Sequence, residues 1–176
     1  MLGAETFLYY PPAFYTQVRC VEGGPTRGGA VLDASLEDLL GAWNLRAVLD
    51  ALSDRTVRTL MLRYPARVKV GVNAEGAREA YIEIAAPLPL TITTYWASHG
   101  TEYEVTLRVG ESRIAHRSTV LQEALGRVLS RLADEVRRAA TLVSLVGRDA
   151  LKGRGGNVTL DVANNLDAAW DLVVVA

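Results

Sequence analysis

The chain has 176 residues, of which 49% are hydrophobic and 22% are charged, and its formal net charge is −1 at pH 7. This composition is typical of a globular domain and excludes a disordered chain. No apolar run approaches the roughly 18 residues that cross a bilayer, and the first residues lack the features of a signal peptide. The single cysteine, Cys20, excludes an internal disulfide framework. We therefore expect a cytoplasmic protein.

The small net charge conceals an uneven distribution of charged residues. Between Arg108 and Arg154 ten basic residues stand against five acidic ones, an excess of +5, so the rest of the chain carries −6. Only Lys69 and Lys152 are lysines, and every other cation is arginine, the better residue for bidentate contacts to phosphate and carboxylate. Genome base composition or a hot habitat would also favour arginine. The scarcity of cysteine and glutamine favours a thermophilic source.

The first part of the chain is predicted to be separate from the rest. Residues 1–32 are expected to form a flexible β arm, with strands over 5–10 and 15–21 and a Gly-rich loop over 23–29. Residues 33–176 are expected to form a single α+β domain. The aromatic residues of the arm either pack it onto this domain or reach towards a partner.

Two N-terminal helices are predicted over 35–52 and 54–64. They meet at Ser53, where Asp54 is typical of a second helix start. Pro65 ends the second helix, because the residue before a proline resists the helical conformation.

Residues 66–117 predict an antiparallel β meander. Val105, Leu107 and Val109 alternate with polar residues, which is the period of a strand with one buried face. Turn residues at 73–76, 98–100 and 110–111, together with a break at Pro87 and Pro89, separate five strand segments. The covered face of this sheet is expected to lie against the long helix that follows.

One long helix is predicted over 119–151, followed by C-terminal β strands at 158–162 and 172–175. Apolar residues recur at steps of three and four from Leu121 through Val143 to Ala150, which places them on one stripe. Thr119 with Gln122 fits a capping box, and Lys152-Gly153 fits the helix end. The apolar last strand is typical of one inside a sheet or added to a neighbouring subunit.

Signatures of enzymes and metal sites are sparse. The Gly-rich segments lack the features of a phosphate loop or a dinucleotide fingerprint, and Cys20, His99 and His116 belong to no cluster in the sequence. Three C-terminal aspartates, Asp161, Asp167 and Asp171, could surround a divalent cation. Aspartates that simply belong to turns and loops are far commoner. We therefore predict a protein that is not an enzyme, with no catalytic residues, no cofactor and no metal.

The placement of arginine is the feature that remains. Eight basic residues on and around the long helix are candidates for contacting nucleic acid: Arg113, Arg117, Arg127, Arg131, Arg138, Arg148, Lys152 and Arg154. Such a row can follow a phosphate backbone without recognising bases. The alternative is an ordinary solvated face, since Glu123 and Asp134 can form i,i+4 pairs with Arg127 and Arg138. Reversing the charges of Arg131 and Arg138 is expected to leave the fold intact, because changes at surface positions usually cost under ~0.5 kcal/mol.

Two stretches resemble a known family. They are residues 48–61, VLDALSDRTVRTLM, and residues 132–146, LADEVRRAATLVSLV, followed by Leu151-Lys152-Gly153. Both are similar to segments of the small subunit of the archaeal type I-A CRISPR interference (Cascade) complex. The resemblance implies a non-enzymatic antiviral-defence subunit that stacks with other protein subunits and stabilises the backbone of guide RNA or displaced target DNA.

A second hypothesis comes from a different class. The aromatic arm and the apolar C-terminal strand could both reach into a neighbouring subunit. The sequence is therefore also compatible with a self-assembling structural protein, such as a virion or filament component of a thermophilic archaeal system.

Overall fold

The fold is taken from a computed structural model that describes residues 5–9, 18–20, 47–72, 78–97 and 100–176. Several predicted segments lie outside these residues: the first helix over 35–46, the Gly-rich loop, and the turns at 73–76 and 98–99.

Seven strands make one sheet within the described part of the chain. They are β1 (Glu5–Tyr9), β2 (Val18–Cys20), β3 (Ala66–Val72), β4 (Arg78–Ile84), β5 (Leu90–Ala97), β6 (Gly100–Val109) and β7 (Ser112–Ser118). Their spatial order is β2-β1-β3-β4-β5-β6-β7, and every neighbouring pair is antiparallel. The predicted meander is confirmed as β3 to β7, and β1 extends it by pairing with β3.

The two faces of the sheet differ because residues alternate along each strand. The register aligns Ile82, Ile92 and Val105 on three adjacent strands, and all three are fully buried. On the other face, Glu104 and Arg108 of β6 are partly or fully exposed, whereas Thr93 of β5 is buried. The helices pack on the apolar face and share one core with it. The predicted α+β class is confirmed, as is a sheet with one covered face.

The two predicted N-terminal helices are present over their described parts, as residues 47–52 (α1) and Arg55–Arg63 (α2). Asp54 caps α2 as predicted: its carboxylate accepts hydrogen bonds from the backbone N–H groups of Thr56 at 2.9 Å and Val57 at 3.1 Å. The helix ends at Tyr64, which is extended at φ −124° before Pro65. These boundaries follow from local chemistry.

The long helix α3 (Leu121–Val146) begins differently from the prediction. The capping box of Thr119 and Gln122 is wrong, because the N-cap residue is Val120 and no side chain caps it. Ser118 organises the entry to the helix instead. Its hydroxyl accepts from the backbone N–H of Val120 at 3.1 Å and donates to Glu123 at 3.2 Å.

The end of α3 also differs from the prediction. Gly147 has φ +84°, which stops the helix at Val146 rather than at Leu151, and a short helix α4 (Arg148–Leu151) follows. The buried stripe of α3 ends at Ala139, and the side chains that follow it on α3 are half-buried or exposed. The last two turns of α3 therefore extend past the core.

The predicted C-terminal strands are wrong. The chain forms two helices there, α5 (Val158–Asn164) and α6 (Leu166–Val175). The amide oxygen of Asn157 caps α5 by accepting from the backbone N–H of Leu160 at 2.9 Å. On α6 the fully buried residues are Ala169 and Leu172, three residues apart, which is helical spacing. Packing against α3 therefore outweighs the strand preference of the final valines.

A buried aspartate connects α5 to the hairpin that carries β7. Asp161 is 7% exposed, and its carboxylate accepts a hydrogen bond from the Ser112 hydroxyl. Gly110, at the tip of the β6–β7 hairpin, has φ +58°, and a Cβ there would lie 3.2 Å from Asp161 Oδ1. The hydrogen bond from Ser112 and the close contact with Gly110 place α5 against the tip of the β6–β7 hairpin.

Candidate nucleic-acid interface

A groove of about 430 Å³ lies between β7 and α3. It contains residues from both elements and from the start of α5: Arg113, Ile114, Ala115, His116, Arg127, Val128, Ser130, Arg131, Asp134 and Val158. Three of the eight predicted basic residues, Arg113, Arg127 and Arg131, therefore line one groove. Arg113 and Arg127 are fourteen positions apart in the sequence.

The groove is basic. Its four charged side chains are three arginines and the carboxylate of Asp134, which already forms an ion pair with Arg137. Arg113 and Arg127 are both exposed, and neither has an ion-pair partner among the described residues. These two guanidinium groups retain their capacity to donate hydrogen bonds to an anion.

One wall of the groove is the edge strand β7. Of the described strands only β6 pairs with β7, so the strand edge towards the groove carries no strand partner there. Arg113 and Arg117 are exposed on this strand and, four residues apart, both start from its uncovered face. Arg113 reaches the rim of the groove, whereas Arg117 does not. Charges of one sign on an edge discourage edge-to-edge pairing of identical sheets. The edge is therefore better suited to an anionic partner than to a second copy of itself.

Arg131 and Arg138 have a second role, because both hold the buried carboxylate of Glu135. Glu135 is only 2% exposed, and its Oε1 atom accepts from Arg131 Nε at 3.1 Å and from Arg138 Nη1 at 2.8 Å. Its Oε2 atom accepts from the hydroxyl of Thr159 on α5 at 2.6 Å. Two arginines of the predicted row thus stabilise the packing of α5 on α3.

The pKa of Glu135 lies below its ordinary value of 4.5. Burial alone raises this pKa, but the hydrogen bonds from Thr159 and Arg131, together with the positive charges of Arg138 and Arg131, outweigh the burial. Glu135 is therefore ionised at neutral pH, and it neutralises part of the predicted arginine row.

The predicted i,i+4 ion pairs do not form. Asp134 pairs with Arg137 rather than with Arg138, and Glu123 accepts from Ser118 rather than pairing with Arg127. Arg127 is consequently left without the neutralising partner that the sequence suggested.

The other predicted basic residues lie away from the groove or are already paired. Arg117 lies on the uncovered face of the sheet, where it pairs with Glu102 and stacks over Tyr95 at 4.2 Å. Arg148 pairs with Asp167 at 3.3 Å. Lys152 and Arg154 follow α4, are exposed, and have no ion pair with any described residue.

Three residues at this site were not predicted from the sequence. His116 and Ser130 line the groove but carry no motif of their own. Glu135 did leave a signal: it follows Leu132 by three positions and precedes Ala139 by four, so it lies at the margin of the apolar stripe. A charged residue at such a position is expected to be buried with partners.

The described residues contain no group of three or more His, Cys, Asp or Glu side chains that could hold a metal ion. The three C-terminal aspartates do not gather at one place: Asp161 accepts from Ser112, whereas Asp167 pairs with Arg148. The position of His99 lies outside the described residues.

Comparisons with protein-family models, curated proteins and solved structures found no match to this chain. Of the helices in the described residues, none combines the length and the apolar character needed to cross a membrane.

Proposed function

We propose that this chain is a non-enzymatic subunit that holds the backbone of single-stranded RNA or DNA in the groove between β7 and α3. The observation that carries the proposal is the pair of Arg113 and Arg127. These exposed arginines line one groove from two different elements and lack ion-pair partners within the described residues. Arginine donates two parallel hydrogen bonds to phosphate oxygens, which suits such a pair to a phosphate backbone.

The shape of the groove favours a single strand over a duplex. Proteins that recognise duplex DNA usually insert a protruding helix or β ribbon into the major groove. Here a strand edge and a helix instead bound a concave surface, which a flexible backbone can enter. Ile114, Val128 and Val158 supply no side-chain hydrogen bonds, so the uncharged polar side chains of the groove are limited to His116 and Ser130. We therefore expect binding with little sequence preference.

The resemblance to the small subunit of the type I-A CRISPR interference complex gives this proposal a biological setting. In that setting the arginine-bearing side of α3 and the adjoining groove would contact guide RNA or displaced target DNA inside the cell, next to other protein subunits. The support for this setting is the similarity of segments 48–61 and 132–146, which form α1 with α2 and the second half of α3.

The proposal is tested by measuring the anisotropy of a labelled single-stranded RNA over a series of salt concentrations. The double variant Arg113→Gln/Arg127→Gln should weaken binding. It should also reduce the slope of log K against log salt by about 1.4, because each contact to a single strand contributes about 0.7. The matched control is Arg55→Gln/Arg63→Gln, which removes the same charge from exposed positions on α2.

The control should keep the affinity and the salt slope of the natural sequence. Absence of binding at low salt, or an affinity that salt does not change, would overturn the proposal. An equal loss of affinity in both double variants would also overturn it, because the effect would then belong to net charge and not to the groove.

A second candidate function, a self-assembling structural protein, is favoured by one observation. Leu145 is 78% exposed and Val146 is 50% exposed, at the end of α3 that extends past the core. Exposed apolar side chains grouped in this way are typical of protein contacts. Sedimentation at rising concentration tests this function: open-ended growth that Leu145→Glu abolishes would support it, and a species of fixed size would contradict it.

A further inference from the structure

Trp170 on α6 is unusually accessible for a residue of its size. It is 56% exposed, and Val174, one turn further along the same helix, is 65% exposed. The opposite side of α6 carries Ala169 and Leu172, which are fully buried. Tryptophan is among the residues that contribute most to the energy of protein interfaces, so its exposure points to a contact surface.

An apolar hollow lies directly beside this tryptophan. It has a volume of about 290 Å³ and lies between α3 and α6, where Val136, Ala140 and Leu166 line it together with Trp170. Pockets for small molecules usually measure roughly 300 to 1,000 Å³, so this hollow is at the lower limit of that range. Its size and apolar lining suit one large side chain better than a small-molecule ligand.

Charges of opposite sign flank the hollow. Arg137 lies on the α3 side, with its side chain 74% exposed and paired within the chain with Asp134. Asp167 lies on the α6 side, with its side chain 84% exposed and paired within the chain with Arg148. Asp171, next to Trp170, is also exposed. A two-fold axis between the two helices would place the cation of one copy opposite the carboxylates of the other. The surface is therefore complementary to itself.

We propose that a second copy of this chain docks on this surface, with each Trp170 entering the hollow of its partner. The protruding tryptophan and the adjacent hollow form a reciprocal pair, which is the arrangement a two-fold interface requires. The proposal does not depend on the nucleic-acid function, because no residue lines both the hollow and the basic groove.

The dimer is tested by sedimentation velocity of the full chain over a range of concentrations. We expect a reversible dimer whose dissociation constant rises by roughly 30-fold or more in Trp170→Glu, as for an aromatic hot spot. The matched control is Leu62→Glu, which places the same charge at a 61% exposed apolar position on α2 and should leave the dimer unchanged. Circular dichroism checks that both variants are folded.

A charge exchange at the same surface keeps the test decisive if Trp170→Glu fails to fold. Arg137→Glu and Asp171→Arg should each weaken the dimer by placing like charges opposite each other, and the double variant should restore it. A monomer at all concentrations would overturn the proposal. So would a dimer that is insensitive to Trp170→Glu and to both charge variants, or growth that only Leu145→Glu blocks.

Discussion

The carboxylate of Glu135 on α3 and the hydroxyl of Thr159 on α5 are joined by a 2.6 Å hydrogen bond between residues 24 positions apart. Arg131 and Arg138 donate to the same carboxylate from the solvent side. A buried carboxylate with three donors is stabilised in its ionised form, and each donor depends on it in turn. The junction between α3 and α5 is therefore a coupled polar contact beside the basic groove.

Replacing Glu135 by alanine should destabilise the protein. The substitution removes the acceptor of three hydrogen bonds and leaves the half-buried hydroxyl of Thr159 without its partner. We expect the free energy of unfolding to fall by about 2–3 kcal/mol, as for hydrogen bonds to a charged group. Asp134→Ala is the matched control, because that carboxylate is half exposed and pairs only with exposed Arg137, so less than ~1 kcal/mol should be lost. Urea denaturation at pH 7 measures both, and equal losses would contradict the prediction.

Stability should also depend on pH through Glu135. Its pKa is lower in the folded protein than its ordinary value of 4.5, so the unfolded chain binds more protons as the pH falls through this region. The stabilisation is complete above pH 4.5 and is lost as the pH falls through the pKa of the folded state. Glu135→Gln should therefore show a weaker fall in unfolding free energy below pH 4.5 than the natural sequence. Parallel curves for the two proteins would show that Glu135 does not contribute.

The pattern of the sequence predicted those parts of the fold that depend on local chemistry. The alternation of Val105, Leu107 and Val109 predicted β6, and the side chain of Asp54 predicted the start of α2. The final valines misled the prediction of α6, because their intrinsic strand preference is local whereas the burial of Leu172 against the core is not.

The groove was less predictable than the fold, for a physical reason. Arg113 and Arg127 were both named as candidates from the sequence. Their placement on one groove, however, depends on how β7 packs beside α3, and no local spacing encodes this. The hydrogen bond between Glu135 and Thr159 could not be predicted either, because Thr159 lies in a segment that the sequence predicted to be a strand. Long-range packing thus decided which arginines remain unpaired.

Gly110→Ala should destabilise the hairpin that carries β7. The residue has φ +58°, where an L side chain is strained, and the new Cβ would lie 3.2 Å from Asp161 Oδ1. We expect a loss of about 1–3 kcal/mol in the free energy of unfolding, measured by urea denaturation. A loss below that range would show that the hairpin relaxes without strain.

Gly126→Ala should have the opposite effect. Gly126 lies within α3, and a Cβ there would meet no atom within 4 Å. Alanine in a helix interior is more stable than glycine by about 0.5–1 kcal/mol, because the unfolded chain loses conformational freedom. Thermal unfolding should therefore show a higher Tm for this variant, and an unchanged or lower Tm would contradict the prediction.

Charge reversal should affect stability differently at the two kinds of arginine on α3: Arg138, which pairs with buried Glu135, and Arg127, which has no described partner. Arg138→Glu places a second carboxylate beside the buried one of Glu135 and removes a 2.8 Å hydrogen bond, so we expect a loss of about 2 kcal/mol or more. Arg127→Glu changes an exposed residue without a described partner, and its effect on stability should stay within ~0.5 kcal/mol. Urea denaturation of both variants checks this difference. The sequence alone predicted that reversal at Arg138 is harmless, and equal stability of the two variants would restore that prediction. If the difference appears, Arg127 is the position at which binding can be tested without altering the fold.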